Sequence, residues 1–403
     1  MIYILKYLVA TDNKKATALV LLDLSAAFDT IDHVILLNRL SNKLGMCGTA
    51  KKWFESYLSD RTQRVNIDGA VSDVANLPYG VPQGSVLGPI LFTIYTQEVE
   101  DIAREHGVNI HLYADDTQLY ISYDVSDPES SQHNARMAMS RLETCIHDIK
   151  KWMLNNKLKL NDSKTEVIII TPPRLEPCVS QVQIGNCFIA KSTHVRNLGL
   201  YLDEHLSMDH HLQKICNTAY IHVRSISGIR KYITKEACET LVHAFITSRL
   251  DYCNAALFGL PGNCIQKFQR IQNIAARIVT KTRKHDHITP ILSDLHWLPV
   301  AQRIQYKILL LTYKALHDQC PVYLSDLVHR YIPDRVLRSS SQNLLKISKS
   351  RTKTFGERAF SVCAPTLWNS LPPECQHDNL TLSSFKTKLK THLYRTAFPA
   401  KYT

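Results

Sequence analysis

The stretch Val108-Asn-Ile-His-Leu-Tyr-Ala-Asp-Asp-Thr-Gln-Leu-Tyr-Ile-Ser-Tyr123 gives the first indication of the fold. Apolar and aromatic residues flank two adjacent aspartates, which predicts a β-hairpin with Asp115 and Asp116 at its tip. Two neighbouring carboxylates in an apolar hairpin repel each other and lose hydration. A divalent cation reverses that cost, because hard cations bind carboxylate oxygens. The pair therefore indicates a metal site.

A third carboxylate is predicted to lie near this pair. Residues 16–24 form a near-continuous apolar run, typical of a strand buried on both faces, and Asp23 lies near its end. Asp29 is expected to cap the helix that follows. If strand and hairpin are neighbours in one sheet, three carboxylates can hold two Mg²⁺ ions, or Mn²⁺, roughly 3.5–4 Å apart. Such a pair of ions favours phosphoryl transfer.

Charge is distributed unevenly along the 403 residues, which are enough for two or three domains. The net charge is +12, of which residues 1–203 contribute −3 and residues 204–403 contribute +15. Four stretches of the second half, at 206–229, 235–250, 265–282 and 300–317, have helical periodicity with Lys and Arg on their polar faces. This predicts a polyanionic partner, the alternative being a solvated basic surface without one.

The cysteine pattern and the N-terminus bear on the compartment. Eleven cysteines form an odd set without zinc-knuckle spacing, which argues against a disulfide framework and for a reducing environment. Residues 1–10 lack the features of a signal peptide, and no apolar run approaches the length of a membrane helix. We expect an intracellular protein without a membrane segment.

Three ordered segments resemble the palm motifs of a reverse transcriptase. They are Asp23-Leu-Ser-Ala-Ala-Phe-Asp-Thr-Ile-Asp-His33, Gly80-Val-Pro-Gln-Gly-Ser-Val-Leu-Gly-Pro-Ile-Leu91 and Tyr113-Ala-Asp-Asp116. The residues of these motifs are similar to those of LINE-type, non-LTR retrotransposons of the jockey and CR1-like branches. The core match covers about residues 16–203. Arg249-Leu-Asp-Tyr-Cys-Asn254 and Phe355-Gly-Glu-Arg-Ala-Phe360 also resemble the region after the polymerase in such elements.

The resemblance implies an α+β fold. We expect a right-hand polymerase palm, an antiparallel sheet with packed helices, followed by a mainly helical thumb and a C-terminal region. The expected domains are a palm with partial fingers at 1–203, a basic helical thumb or nucleic-acid-binding region at 204–330, and a partly irregular C-terminal region at 331–403.

The resemblance also implies roles for the catalytic residues. Asp23, Asp115 and Asp116 are expected to bind the metal ions, with Asp115 the more constant ligand. Lys164 matches a lysine that protonates the leaving pyrophosphate, although a solvated lysine before a strand fits the pattern nearly as well. Phe28 matches the aromatic sugar gate that selects deoxynucleotides, its alternative being a core residue at a strand–helix junction.

Two further groups are expected to bind substrates. Gln83 and Gly84 are expected to lie against the incoming nucleotide, where glycine permits a close approach of the backbone. A plain tight turn is the alternative for this loop. Leu198, Gly199 and Leu200 match the primer-grip hairpin, which would hold the primer end. An ordinary core strand is the alternative there.

The implied function is that of an RNA-directed DNA polymerase, which uses an RNA template, a DNA primer or target, and dNTPs. The nucleus and the cytoplasm are the compartments expected for the family. Because the first palm strand begins about fifteen residues after Met1, we expect an N-terminally truncated chain without the basic fingers that grip the triphosphate. The alternative is a catalytically silent retrotransposon remnant that only binds nucleic acid.

Overall fold

A computed structural model describes residues 2–173, 175, 179, 181–185, 187–333 and 343–399. The chain forms two compact units. The first unit is Lys14–Val195, and the second combines Met1–Asn13 with Arg196–Thr403. Helix α1 (Ile2–Asp12), which the sequence did not predict, belongs to the second unit. The functional division at residues 203 and 330 stays a prediction.

The first unit is built on twelve strands and five helices in the described ranges. The strands are β1 (Lys15–Leu22), β2 (Leu24–Ser25), β3 (Thr62–Gln63), β4 (Asn66–Ile67), β5 (Ala70–Val71), β6 (Ala75–Asn76), β7 (Asn109–Tyr113), β8 (Asp116–Asp124), β9 (Lys159–Leu160), β10 (Glu166–Ile170), β11 (Gln181–Ile184) and β12 (Cys187–Ala190). The helices are α2 (His33–Leu44), α3 (Gly48–Leu58), α4 (Gly88–Thr96), α5 (Glu98–Glu105) and α6 (Pro128–Asn155).

A four-stranded antiparallel sheet with the order β10-β1-β8-β7 forms the centre of this unit. Strand β1 lies between β10 and β8, and its residues from Ala16 to Val20 are fully buried. Helix α6 packs along β8 and contributes a buried apolar stripe that includes Leu142, Ile146 and Ile149. The predicted palm architecture, an antiparallel sheet with packed helices, is confirmed.

Two helix starts differ from the sequence-based expectation. Asp32, and not Asp29, caps α2, because its Oδ1 accepts from the backbone N–H groups of Val34 at 2.9 Å and Ile35 at 3.1 Å. Asp29 instead closes the preceding turn through its own backbone N–H. The apolar spacing after Ser85 predicts a helix from that residue onward, but α4 begins at Gly88, whose N–H donates to Ser85 Oγ at 3.0 Å.

The second unit is mainly helical, as predicted. The chain enters it within the hairpin of β13 (His194–Asn197) and β14 (Leu200–Asp203). Its further helices are α7 (Asp209–Ile229), α8 (Lys235–Val242), α9 (Ser248–Asp251), α10 (Gly262–Thr280), α11 (Ile288–Asp294), α12 (Val300–Leu316), α13 (Val322–Ser325), α14 (Phe360–Asn369) and α15 (Leu382–Ala397). The single helix predicted at 235–250 is interrupted by a π-helical turn, His243–Thr247, between α8 and α9.

The region after Pro333 can be compared with its prediction only in part. Residues 334–342 lie outside the described ranges, and residues 343–353 contain no helix or extended strand, as expected for an irregular segment. Every cysteine within the described ranges is free, whereas Cys178 lies outside them. Among the described helices, none is long and apolar enough to span a bilayer.

Candidate active site

The register of the sheet brings the predicted carboxylates to one edge. Leu22, the last residue of β1, pairs with Thr117 of β8, so Asp23 follows next to the position of Asp116. The β7–β8 hairpin closes with Asp116 opposite Tyr113, which leaves Ala114 and Asp115 in the turn. The hairpin with the two aspartates at its tip is therefore confirmed.

The turn of this hairpin has an unusual backbone conformation. Ala114 has a φ of +52°, in the left-handed region that residues with a Cβ seldom adopt. Such a conformation persists only where the surrounding structure enforces it, here the continuous pairing of β7 with β8 on both sides. The strained residue directly precedes Asp115 and Asp116, so the ladder determines where both carboxylates are presented.

The electrostatics show that the three carboxylates influence one another. The pKa of Asp116 is raised, first by desolvation and then by the negative charges of Asp115 and Asp23. A raised carboxyl pKa means that the charged form is disfavoured at this sheet edge. The edge therefore concentrates negative charge that a cation would compensate.

Lys164 is the basic side chain that the structure places on this cluster. It ends a short 3-10 turn, Asp162–Lys164, just before β10, and its Nζ lies 3.4 Å from Asp23 Oδ2. The backbone supports this placement, because the Asn161 N–H donates to the Asp23 carbonyl at 2.9 Å. Asp23 Oδ2 is shielded from water, and its neighbour of opposite charge is this Lys164 ammonium. The structure thus places Lys164 beside Asp23, whereas its role as a proton donor stays a prediction.

Whether the residues fit divalent cations depends on side-chain positions. Across the described ranges, no group of three His, Cys, Asp or Glu side chains is already positioned to hold a metal ion. The donors nevertheless have suitable chemistry, since carboxylate oxygens are the ligands that Mg²⁺ prefers. The mutual repulsion at Asp116 favours an added positive charge, and the ion pair with Lys164 shows that Asp23 accepts one. Cation binding then requires the Lys164 ammonium to move away from Asp23 and the carboxylates to turn inward.

The loop of residues 80–84, here called the glycine loop, is fixed against the turn that follows β2. Gly80 N–H donates to the Ile31 carbonyl at 2.8 Å, and Val81 N–H donates to the Phe28 carbonyl at 2.9 Å. Gly80 has a φ of +85°, and a Cβ there would lie 2.9 Å from the Asp29 carbonyl oxygen. Only glycine meets both conditions, so this residue locks the loop onto the segment that carries Phe28.

The predicted nucleotide-binding residues lie on these two joined segments. Phe28 is half-buried, and its ring centroid lies 5.0 Å from that of Phe92 on α4. Gln83 and Gly84 are exposed, and Gly84 has a φ of +78° with open space around it. The structure therefore brings Phe28 into the same loop system as Gln83 and Gly84, and it leaves the loop tip accessible.

The predicted primer-grip residues form the turn between β13 and β14 in the second unit. Leu198 and Gly199 both have positive φ, at +45° and +81°. The hydroxyl of Tyr252 donates to the Leu198 carbonyl at 2.6 Å. A Cβ on Gly199 would lie 3.2 Å from Tyr252 Cε1, which is a tight contact, and the φ of +81° favours glycine as well. Tyr252 supports this turn. The sequence signal that could have identified it is its position in residues 249–254, the segment that resembles the region after the polymerase in retrotransposons.

The fold and the site define the class of the protein. An antiparallel sheet that brings Asp23, the Asp115–Asp116 turn and Lys164 to one edge has the architecture expected of a nucleotidyltransferase palm. Residues 4–202 match the sequence model of the family described as reverse transcriptase (RNA-dependent DNA polymerase). Residues 4–202 therefore form a reverse transcriptase domain, and the similarity to the transposon polymerases described next supports the LINE-type retrotransposons as its source.

Curated relatives come from Drosophila melanogaster. The probable RNA-directed DNA polymerase from transposon BS is 24% identical over 358 residues, covering 86% of this chain and 37% of the relative. The enzyme from transposon X-element is 25% identical, covering 74% and 32%. The chain thus spans about a third of the length of these relatives. The match with transposon BS continues well beyond residue 202 and so includes part of the second unit.

The solved structures that the chain matches in part include telomerases. Apo telomerase from Candida tropicalis has a TM-score of 0.38 and 12% identity, covering 75% of this chain and 50% of that structure. Telomerase from Candida albicans, in complex with a fragment of telomeric RNA, has a TM-score of 0.38 and 11% identity, covering 76% and 52%.

Proposed function

We propose that this chain catalyses RNA-directed DNA synthesis, adding dNTPs to the 3′-hydroxyl of a DNA primer on an RNA template. The observation that carries the proposal is the β1–β8 register, which sets Asp23 beside the Asp115–Asp116 turn. Adjacent carboxylates on a rigid sheet are the arrangement that phosphoryl transfer requires, because the chemistry depends on positioning and on charge compensation.

The acidic residues and Lys164 are proposed to have different roles, metal binding and proton donation. Asp23, Asp115 and Asp116 would hold two Mg²⁺ or Mn²⁺ ions, which activate the attacking hydroxyl and compensate the charge of the leaving group. Asp115, in the turn, and Asp23, after β1, are held by the sheet, so their carboxylates require only side-chain rotation. The Lys164 ammonium, displaced from Asp23, is free to donate a proton to the leaving pyrophosphate.

The incoming nucleotide would be bound by the loop of residues 80–84 and by Phe28. Gly84, without a side chain, lets phosphate oxygens approach the backbone closely, and Gln83 projects from the same exposed tip. The half-buried ring of Phe28, which packs against Phe92, would exclude a ribose 2′-hydroxyl. The loop would therefore bind the nucleotide while the ring selects its sugar.

Replacement of Phe28 by Ala is expected to admit ribonucleotides. Removing the ring opens the space of the 2′-hydroxyl, and the preference for dNTP over rNTP in kcat/KM should fall by about 10–100-fold. Steady-state incorporation of dCTP and CTP on one RNA template measures the preference. Phe28→Tyr, which keeps the ring, serves as the control and should remain selective. An unchanged preference in Phe28→Ala would remove the sugar-gate role.

Replacement of Tyr252 by Phe is expected to weaken binding of the primer. The change deletes one hydrogen bond to Leu198, worth about 1 kcal/mol, and loosens a turn with two residues at positive φ. The KM for the primer–template should rise about three- to tenfold, while the KM for dNTP stays unchanged. Tyr232→Phe, at a tyrosine that is 76% exposed, is the matched control. Equal changes in both KM values would argue against a primer-grip role for Leu198, Gly199 and Leu200.

The second unit is proposed to bind the RNA template and the DNA primer or target. Residues 204–403 carry the +15 charge, and phosphate contacts by Lys and Arg produce affinity that falls steeply with salt. In this assignment residues 204–330 act as the thumb and residues 331–403 as the C-terminal region. The nucleus or the cytoplasm, where RNA and DNA substrates are available, is the proposed compartment.

Template-primed incorporation of dNTPs tests the proposal. Purified chain with an RNA template, an annealed DNA primer and Mg²⁺ or Mn²⁺ should extend the primer. Salt-dependent RNA binding without any extension would instead favour a catalytically silent remnant that only binds nucleic acid.

A further inference from the structure

A cavity of about 530 Å³ lies within the second unit, and its lining includes none of the catalytic, nucleotide-binding or primer-grip residues named above. Its volume is within the range of small-molecule sites, about 300–1,000 Å³. Trp297 and Leu298 form buried apolar walls, and the half-buried Tyr306 adds a second aromatic ring. The cavity is therefore large enough, and apolar enough on two sides, for one planar ring system.

Two carboxylates of this cavity are held in place by their neighbours. Glu239 Oε1 accepts from Trp297 Nε1 at 3.1 Å and lies 3.5 Å from His243 Nε2, which leaves Oε2 without a donor in the described part of the chain. Asp251 forms a two-point ion pair with Arg303, in which Nε lies 2.8 Å from Oδ1. Glu239 can thus accept a further hydrogen bond without any rearrangement.

Asn254 adds a second acceptor that has no partner. Only 4% of this residue is exposed, and its Oδ1 makes no hydrogen bond with any described residue. Leaving a buried acceptor unpaired costs about 1–3 kcal/mol, so a ligand that donates a hydrogen bond here would be favoured. Glu239 and Asn254 together make the interior of the cavity selective for a ligand with N–H donors.

The rim of the cavity is basic. Lys307 and Lys390 are exposed, and within the described ranges neither forms an ion pair with a carboxylate. The π-helical turn that begins at His243 also contributes to the lining, and such turns occur frequently at functional sites. Ammonium groups at the rim favour a phosphate group on the same ligand.

We propose that this cavity binds one nucleotide whose base carries an exocyclic amine. The base would lie against the aromatic walls with its amine toward Glu239 and Asn254, and its phosphate would contact Lys307 and Lys390. The nucleotide could be a free mononucleotide or an unpaired residue of single-stranded RNA, because both present the same base and phosphate. This site is additional to the dNTP site of the first unit.

Calorimetric titration of the full chain tests the proposal, with AMP, UMP, inorganic phosphate and a twelve-residue oligoadenylate as probes. We expect AMP to bind, and UMP and phosphate to bind at least about tenfold more weakly. The adenine amine offers two N–H donors for Glu239 and Asn254, whereas uracil offers one ring N–H between two carbonyl acceptors and phosphate has no base. Absence of AMP binding, or equal affinity for AMP and UMP, would overturn the proposal.

Matched variants locate the binding. Lys307→Ala with Lys390→Ala should weaken AMP binding at least about tenfold. Lys314→Ala with Lys386→Ala removes the same charge from the same two helices outside the cavity and should leave AMP binding unchanged. Equal effects of the two double variants would refute the site.

The acceptor and the source of the nucleotide are tested next. Glu239→Gln keeps an oxygen for Trp297 but removes a negative acceptor, so it should weaken AMP binding in a folded protein, as checked by circular dichroism. Unchanged AMP affinity would refute the role of Glu239. If the Lys307/Lys390 double variant loses binding of oligoadenylate as well as of AMP, the natural ligand is a residue of single-stranded RNA. If oligoadenylate binding is retained, the natural ligand is the free nucleotide. Neither result depends on primer extension, which is measured separately.

Discussion

Asp115→Asn should reduce template-primed dNTP incorporation at least about 10³-fold. Removing one preorganised hydrogen-bond donor to a transition state lowers kcat by about 10²–10³-fold. Asp115 is proposed to bind the metal ions with a fully charged carboxylate, so its loss should cost at least as much. The amide keeps the size of the carboxyl group, so the β7–β8 turn and the strained Ala114 should persist. RNA affinity should stay unchanged, because the basic charge lies in residues 204–403.

A matched control separates catalysis from general loss of charge. Asp73→Asn removes one carboxylate from an exposed position of the same unit and should leave incorporation unchanged. Thermal unfolding adds a readout that does not depend on activity. Mg²⁺ should raise the Tm of the wild type by more than that of Asp115→Asn, because the ions bind the folded state. Parallel loss of incorporation and RNA binding in Asp115→Asn would contradict the assigned role.

Much of the first unit could be predicted, because its signals are local and ordered along the chain. The apolar run before Asp23 indicates a strand buried on both faces, and the aspartate pair within aromatic half-strands indicates a hairpin. Their adjacency could only be assumed, since strand order depends on packing between distant segments. The observed order β10-β1-β8-β7 supplies that missing step.

Other features could not be predicted, because they depend on tertiary contacts or on competition between similar residues. Asp29 and Asp32 are both plausible caps, and the turn hydrogen bond of the Asp29 N–H leaves Asp32 at the helix start. Lys164 could be placed before a strand but not beside Asp23. Tyr252 and Asp12 form hydrogen bonds with residues that are 54 and about 340 positions away in the sequence. Hydrophobic periodicity describes local structure and cannot predict contacts between such distant residues.

Asp12→Ala should destabilise the second unit by about 2–5 kcal/mol. The Asp12 carboxylate is 7% exposed and accepts from the backbone N–H groups of Arg351 at 2.9 Å and Thr352 at 2.8 Å. It also accepts from the Thr352 hydroxyl at 2.7 Å. Alanine removes the acceptor of these three partly buried hydrogen bonds, each of which contributes about 0.5–1.5 kcal/mol. Urea unfolding measures the change, and Asp326→Ala, at an exposed aspartate, should stay near the wild type.

The opposite side of the same contact supplies a second test of the Asp12 bonds. A Cβ on Gly356 would lie 2.5 Å from Asp12 Oδ2 and 2.6 Å from Ser350 Cβ, so Gly356→Ala should displace the carboxylate. Because both changes break one contact, the double variant should lose less stability than the sum of the two single variants. Strict additivity would mean that α1 is not held by residues 350–356. Coupling would mean that the helix leading into β1, and thus toward Asp23, depends on the C-terminal region for its anchorage.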